Sequence, residues 1–201
     1  MITTFIFDLG NVLIDWNPYT LYRKLMSNDA EIAHFLENVC TMQWNEEQDA
    51  GRSLKEGTEK LVEQFAGHEA NIRAYYSRWE EMLGEGIPGT VEIFKDLKDT
   101  GKYKFYALTN WSTETFPIAL KKYDFLNWFD EIIVSGAEGM RKPDPHFYQL
   151  LLGRHKVSPD EALFIDDNYR NILAAREMGI ASIHFTSAED LKSQLNQLLI
   201  A

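Results

Sequence analysis

Three short apolar runs each end on a polar residue: Phe5-Ile-Phe7 before Asp8, Phe105-Tyr-Ala-Leu108 before Thr109, and Ala162-Leu-Phe-Ile165 before Asp166. Runs of this length between polar loops predict buried strands of a parallel sheet covered on both faces. Further strands are expected at Glu131–Val134 and Ile180–His184. Helical spacing marks Thr90–Asp99, Thr113–Lys122, Pro145–Gly153, Tyr169–Met178 and Ala188–Leu199. The alternation predicts a doubly wound α/β domain, whose ligands bind outside the carboxyl ends of its strands.

Between Pro18 and Leu83 the alternation stops. Ile72, Tyr75, Tyr76, Trp79 and Leu83 fall on one helical face, and Leu54, Leu61, Val62 and Phe65 keep another, so this stretch is expected to be a block of amphipathic helices. Inserted just after the first strand, it reads as a cap over the strand ends, hinged near Asp15–Pro18 and Gly84–Gly89. The boundaries are residues 1–16 and 85–201 for the α/β core and 17–84 for the all-helical cap. The aromatic stripe is expected to serve mainly as the cap's own core, leaving Trp44, Trp79 and Tyr76 as weaker candidates for substrate contact.

Composition narrows the partners. A chain of 201 residues can bury a full core, and 20 basic against 31 acidic residues give a net charge of −11. That balance argues against nucleic acid and anionic membrane surfaces but not against a small anionic substrate. The single cysteine, Cys40, cannot form an internal disulfide, and no apolar run approaches a spanning or signal segment. A cytoplasmic protein is expected; oligomeric state is left open.

The polar strand ends carry the candidate chemistry. If the first and later strands are adjacent and parallel, Asp8, Asp166 and Asp167 converge. Like charges ~4 Å apart repel by about 4 kcal/mol at an effective dielectric near 20, so the three call for a hard divalent cation such as Mg²⁺. Taken singly, each feature has a plainer explanation. Asp166 and Asp167 can cap the following helix, Lys142 can be a solvated surface lysine, and Thr109-Asn110 can be a strand-ending turn.

In combination, Asp8, Thr109-Asn110, Arg141-Lys-Pro-Asp144 and Asp166-Asp167 follow the order and spacing of the haloacid dehalogenase (HAD) superfamily, which the chain resembles over nearly its whole length. The resemblance is greatest to phosphatase-like members with a helical cap, some of which also begin Asp-Leu-Gly-Asn and act on sugar phosphates. It implies a Rossmann-like core and an Mg²⁺-dependent phosphatase acting on a small phosphorylated metabolite, with a sugar phosphate among the candidates. Asp8 would be the nucleophile that becomes an aspartyl-phosphate. Mg²⁺ would be held by Asp8, the Gly10 carbonyl and Asp167, with Asp166 behind them. Lys142 would neutralise charge between nucleophile and phosphate, and Thr109 and the Asn110 amide would hold phosphate oxygens.

One position departs from that pattern. Most phosphatases of this superfamily carry a second aspartate, a general acid–base, two residues after the nucleophile, and here that position is Gly10. Asn11 cannot shuttle a proton as a carboxyl does. The leaving group must be protonated by water, by the substrate or by a cap residue. Two other readings stay open: a 2-haloacid dehalogenase, which needs no metal and gains nothing from paired aspartates, and a non-catalytic binding protein on the same scaffold.

Overall fold

Four consecutive buried residues, Thr-Phe-Ile-Phe, leave β1 (Thr4–Phe7) without a solvent face, and it takes the centre of the main sheet. The computed structural model describes residues 1–200. The further strands are β2 (Ile14–Trp16), β3 (Leu83–Gly86), β4 (Lys104–Thr109), β5 (Glu131–Val134), β6 (Ala162–Asp166) and β7 (Ala181–His184). Five of these form one parallel sheet in the order β5-β4-β1-β6-β7. Phe7 pairs with Ala107 on one side and Ile165 on the other, so the residues after β1, β4 and β6 emerge together at the carboxyl edge.

Alternation along β1 feeds two cores. On one face Phe5 and Phe7 pack with Phe94 of the helix Pro88–Asp99 and Leu191 of Ala188–Ile200. On the other, Ile6 packs with Phe147 of Pro145–His155 and Ile172 of Tyr169–Glu177. The chain is therefore an α/β doubly wound, Rossmann-like protein, as its apolar runs predict.

Between β2 and β3 lie five α-helices, the first four of which begin on a side-chain cap. These helices are α1 (Pro18–Tyr22), α2 (Asp29–Asn38), α3 (Met42–Asp49), α4 (Leu54–Gln64) and α5 (Glu69–Ser77). Side chains of Asn17, Asn28, Thr41 and Ser53 accept from backbone N–H groups in the first turns of α1 to α4. Gly51 turns the chain out of α3 at φ +106°, where a side chain is strained. Trp44 and Tyr76 pack within this block: the Trp44 indole donates to the Gly57 carbonyl, and Tyr76 hydrogen-bonds Gln48 and Asn45.

The segments read as hinges lie on and beside a two-stranded ribbon, which the apolar pattern does not announce. β2 and β3 pair antiparallel, Ile14 with Gly86 and Trp16 with Leu83. The ribbon is tied to the sheet's loops, because Lys122 Nζ and Tyr123 Oη donate to the carbonyls of Leu83 and Gly84, each at 2.7 Å. Among the described residues no helix is long and apolar enough to cross a membrane.

Candidate active site

Register brings the acidic residues together. Asp8 follows β1, Asp166 ends β6 and Asp167 follows it, and one carboxylate oxygen from each lies within 4.8 Å of the others. The Asp8 N–H donates to the Ile165 carbonyl at 2.8 Å, which continues the β1–β6 ladder to the nucleophile candidate itself. Asp8 Oδ1 in turn accepts from the Leu9 N–H at 2.8 Å.

Lys142 is not a surface lysine. It is 1% exposed, and its ammonium sits 2.9 Å from Asp8 Oδ1 and 2.7 Å from Asp166 Oδ2. Asn110 holds its backbone: Lys142 N–H donates to Asn110 Oδ1 at 2.8 Å, and Asn110 Nδ2 donates to the Lys142 carbonyl at 3.0 Å. The Asn110 side chain is thus spent on positioning the lysine loop. Asp166 is completely buried and accepts from Lys142, from Asn171 Nδ2 and from the Asn168 N–H. Asn168, not either aspartate, supplies the side-chain cap of the following helix.

Burial pushes the Asp8 carboxyl up to about 7; Lys142 opposes this, while Asp166 and Asp167 add to it. Asp167 is likewise raised by burial and by Asp166. Burial alone would depress Lys142, but the carboxylates of Asp166 and Asp8 outweigh it and hold the ammonium above its ordinary value. One ammonium against three carboxylates leaves the cluster two negative charges short of neutrality when all are ionised. The donor set is hard oxygen, and it fits a divalent cation.

Above the cluster lies a cavity of about 160 Å³. Its floor comes from the sheet edge, with Asp8, Gly10, Asn11, Lys142 and Asp167. Trp16, Met42, Trp79 and Trp111 supply apolar wall, and Asn45, Glu46 and Asp49 of α3 face the sheet from the helical side. Of the aromatic candidates Trp79 reaches the cavity, whereas Trp16, the last residue of β2, and Trp111, two residues after β4, join it without having been singled out by the sequence. Thr109, 1% exposed at the end of β4, lies off the wall that Asn110 and Trp111 form. Asn11, set aside as a proton carrier, helps shape the floor: it stands at φ 55°, its Oδ1 accepts from the Trp16 N–H at 3.3 Å, and its side chain works against the rise of the Asp167 carboxyl.

The chain belongs to the haloacid dehalogenase-like hydrolase family, whose profile it matches over residues 2–179. It is a hydrolase of that family. It is 27% identical over 99% of its length to the sesquiterpene phosphatase astK of Aspergillus oryzae, of which it covers 99%. A longer relative, drimenol cyclase drtB of Aspergillus calidoustus, is 24% identical over 98% of this chain, which spans 37% of that protein. In fold it is similar to a HAD family enzyme of Bacteroides thetaiotaomicron solved with magnesium and inorganic phosphate. The TM-score is 0.71 at 20% identity, over 93% of this chain and 96% of that one.

Proposed function

We propose that this protein is an Mg²⁺-dependent phosphatase that hydrolyses a small phosphorylated metabolite through an aspartyl-phosphate on Asp8. The observation that carries the reading is Lys142 buried between Asp8 and Asp166, with Asp167 beside them, on the floor of a cavity. A carboxylate meets phosphate only where the repulsion between the two anions is offset. Asp8, Asp167 and the Gly10 carbonyl would hold Mg²⁺, which when bound draws charge from both the nucleophile and the phosphate. The Asp8 carboxylate attacks phosphorus as the bond to the leaving oxygen breaks. Water then attacks the same phosphorus, and the acyl-phosphate bond opens to return the carboxylate and release inorganic phosphate.

Lys142 stabilises the charge moving onto phosphate oxygens, and the backbone N–H of Asn110, which lines the cavity just after β4, holds those oxygens, with Thr109 buried behind it. Asp166 keeps the lysine aimed. Residues 17–84 act as a cap over the core of 1–16 and 85–201, and with Trp16 and Trp111 their aromatic wall suits a leaving group that has an apolar face. A similar chain is named a phosphatase and another a cyclase, so the metabolite itself is not carried over from either. An unpaired, buried Cys40 suits the cytoplasm. A 2-haloacid dehalogenase would have no use for three converging carboxylates.

The test is phosphate release from p-nitrophenyl phosphate with Mg²⁺ or EDTA, with chloride release from 2-chloropropionate run in parallel. Wild type should release phosphate only with the metal, and Asp8→Asn, which keeps the shape but not the nucleophile, should retain less than a few per cent of the rate. Chloride release, or a persistent Asp8→Asn rate, would overturn the reading.

A further inference from the structure

The floor of the cavity offers no proton to a leaving oxygen. Gly10 has no side chain, and Asn11 is an amide whose Oδ1 accepts from the Trp16 N–H. Lys142 is committed to two carboxylates, while Asp8 and Asp167 serve as nucleophile and cation ligand. Two other titratable groups line the cavity, both on α3. Glu46 pairs with Arg141 at 3.1 Å and Arg170 at 3.0 Å, a carboxylate spent on guanidinium groups. Asp49 has no such partner and is 8% exposed.

A one-way chain of hydrogen bonds ends on Asp49. Gln48 Nε2 donates to Tyr76 Oη at 2.8 Å, Tyr76 Oη to Asn45 Oδ1 at 3.0 Å, and Asn45 Nδ2 to Asp49 Oδ2 at 3.0 Å. Ser135 Oγ donates to the Asp49 backbone carbonyl at 2.5 Å, and the Ser112 N–H, in the loop after β4, lies near enough to the carboxyl to favour its charged form. The helical block therefore holds the side chain through Asn45, and the sheet edge holds its backbone through Ser135. A carboxyl so placed can donate a proton from one oxygen while the other accepts from its neighbours.

We propose that Asp49 is the general acid–base of this enzyme, delivered from the helical block in place of a carboxyl at position 10. The proposal rests on the phosphatase reading above. As the Asp8–phosphorus bond forms and the bond to the leaving oxygen breaks, the Asp49 proton passes to that oxygen, giving a neutral alcohol and an Asp49 carboxylate. The carboxylate then takes a proton from the water that attacks phosphorus. Asp8 leaves as a carboxylate, inorganic phosphate departs, and Asp49 is again protonated. Burial pushes the Asp49 carboxyl up to about 7; Arg141 and the Ser112 N–H pull against this, and Glu46 and Asp8 add to it. A carboxyl in that range holds a proton for part of its time at neutral pH and gives it up readily.

The experiment measures single-turnover phosphoryl transfer, with Mg²⁺, from phosphate esters of graded leaving-group pKa, p-nitrophenyl phosphate at one end and a primary alkyl phosphate at the other. Wild type should show a shallow dependence, because the acid helps poor leaving groups most. Folded Asp49→Asn should lose about 10²-fold or more on the alkyl ester, the scale of general acid catalysis, and far less on the aryl ester. Adding Gly10→Asp to Asp49→Asn should recover part of the alkyl rate, since a Cβ at Gly10 meets nothing within 4 Å and its φ is outside the left-handed region. A steep dependence in wild type, or equal losses on both esters in Asp49→Asn, would leave Asp49 as a structural clamp and overturn the assignment while the phosphatase reading stood. If wild type turned over neither ester, both would fall together.

Discussion

A carboxyl held at Asp49 above its ordinary range leaves a mark on stability as well as on rate. Between the unfolded value of 3.8 and the folded value of about 7, the native protein keeps a proton that the unfolded chain has released. Stability linked to this group is therefore fully present below about 3.8, is lost as pH rises through that window, and stays lost above about 7. The rise corresponds to about 4 kcal/mol at most. Asp49→Asn removes the titration while its amide oxygen can still accept from Asn45 Nδ2, so the variant carries a pH-independent loss of about 1 kcal/mol at most. Urea unfolding in EDTA at pH 5 and pH 8 should show the variant gaining on wild type by a few kcal/mol at the higher pH. A difference that stayed constant with pH would mean that Asp49 titrates normally in the fold.

At the scale of elements, α3 is the piece that joins the helical block to the sheet edge. Glu46 reaches Arg141 and Arg170, Asp49 reaches Ser112 and Ser135, and just beyond the turn at Gly51 the Leu54 N–H donates to Glu114 at 2.8 Å. The Arg170 side chain is 63% exposed, so its pair contributes little to global stability, on the order of 1 kcal/mol or less. Its effect is local, because α3 covers the cavity. Glu46→Gln should leave the urea midpoint nearly unchanged and speed hydrogen exchange at the α3 amides several-fold, since local opening can occur without global unfolding. Unchanged exchange would place the holding force in the Asp49 contacts alone.

This element also marks where sequence reading stopped. The strands of the main sheet were legible because four or five apolar residues in a row have one physical outcome. Asp8, Asp166 and Asp167 were legible because each follows such a run. Helix α3, Met-Gln-Trp-Asn-Glu-Glu-Gln-Asp, reads as a polar solvated face, yet Asn45, Gln48 and Asp49 are buried. Their burial depends on Tyr76 and on the loops after β4 and β5, contacts that no local periodicity encodes. The β2–β3 ribbon was hidden for a similar reason. Three or four residues per strand, with glycine at positions 84 and 86, are too few to show a period of two.

For the molecule as a whole, the same carboxylates that equip the site oppose the fold. Asp8, Asp166 and Asp167 come from two adjacent parallel strands that must close side by side for the sheet to exist, so the repulsion is built into the topology and a side-chain rotation does not relieve it. Lys142 neutralises part of it, and Asn110 keeps that lysine in place, but two negative charges remain when all three acids are ionised. A cation that binds the native arrangement and not the unfolded chain adds stability by mass action, about 2.7 kcal/mol at a concentration a hundredfold above its dissociation constant. For a domain of this size that is a rise in melting temperature of roughly 5–10 °C. Mg²⁺ should therefore raise the melting temperature of wild type at pH 8. Asp167→Ala should be more stable than wild type without metal, because one repelling charge is gone, and should lose most of the response to Mg²⁺. An equal Mg²⁺ shift in the two proteins would place the cation elsewhere and remove the charge argument on which the site's chemistry rests.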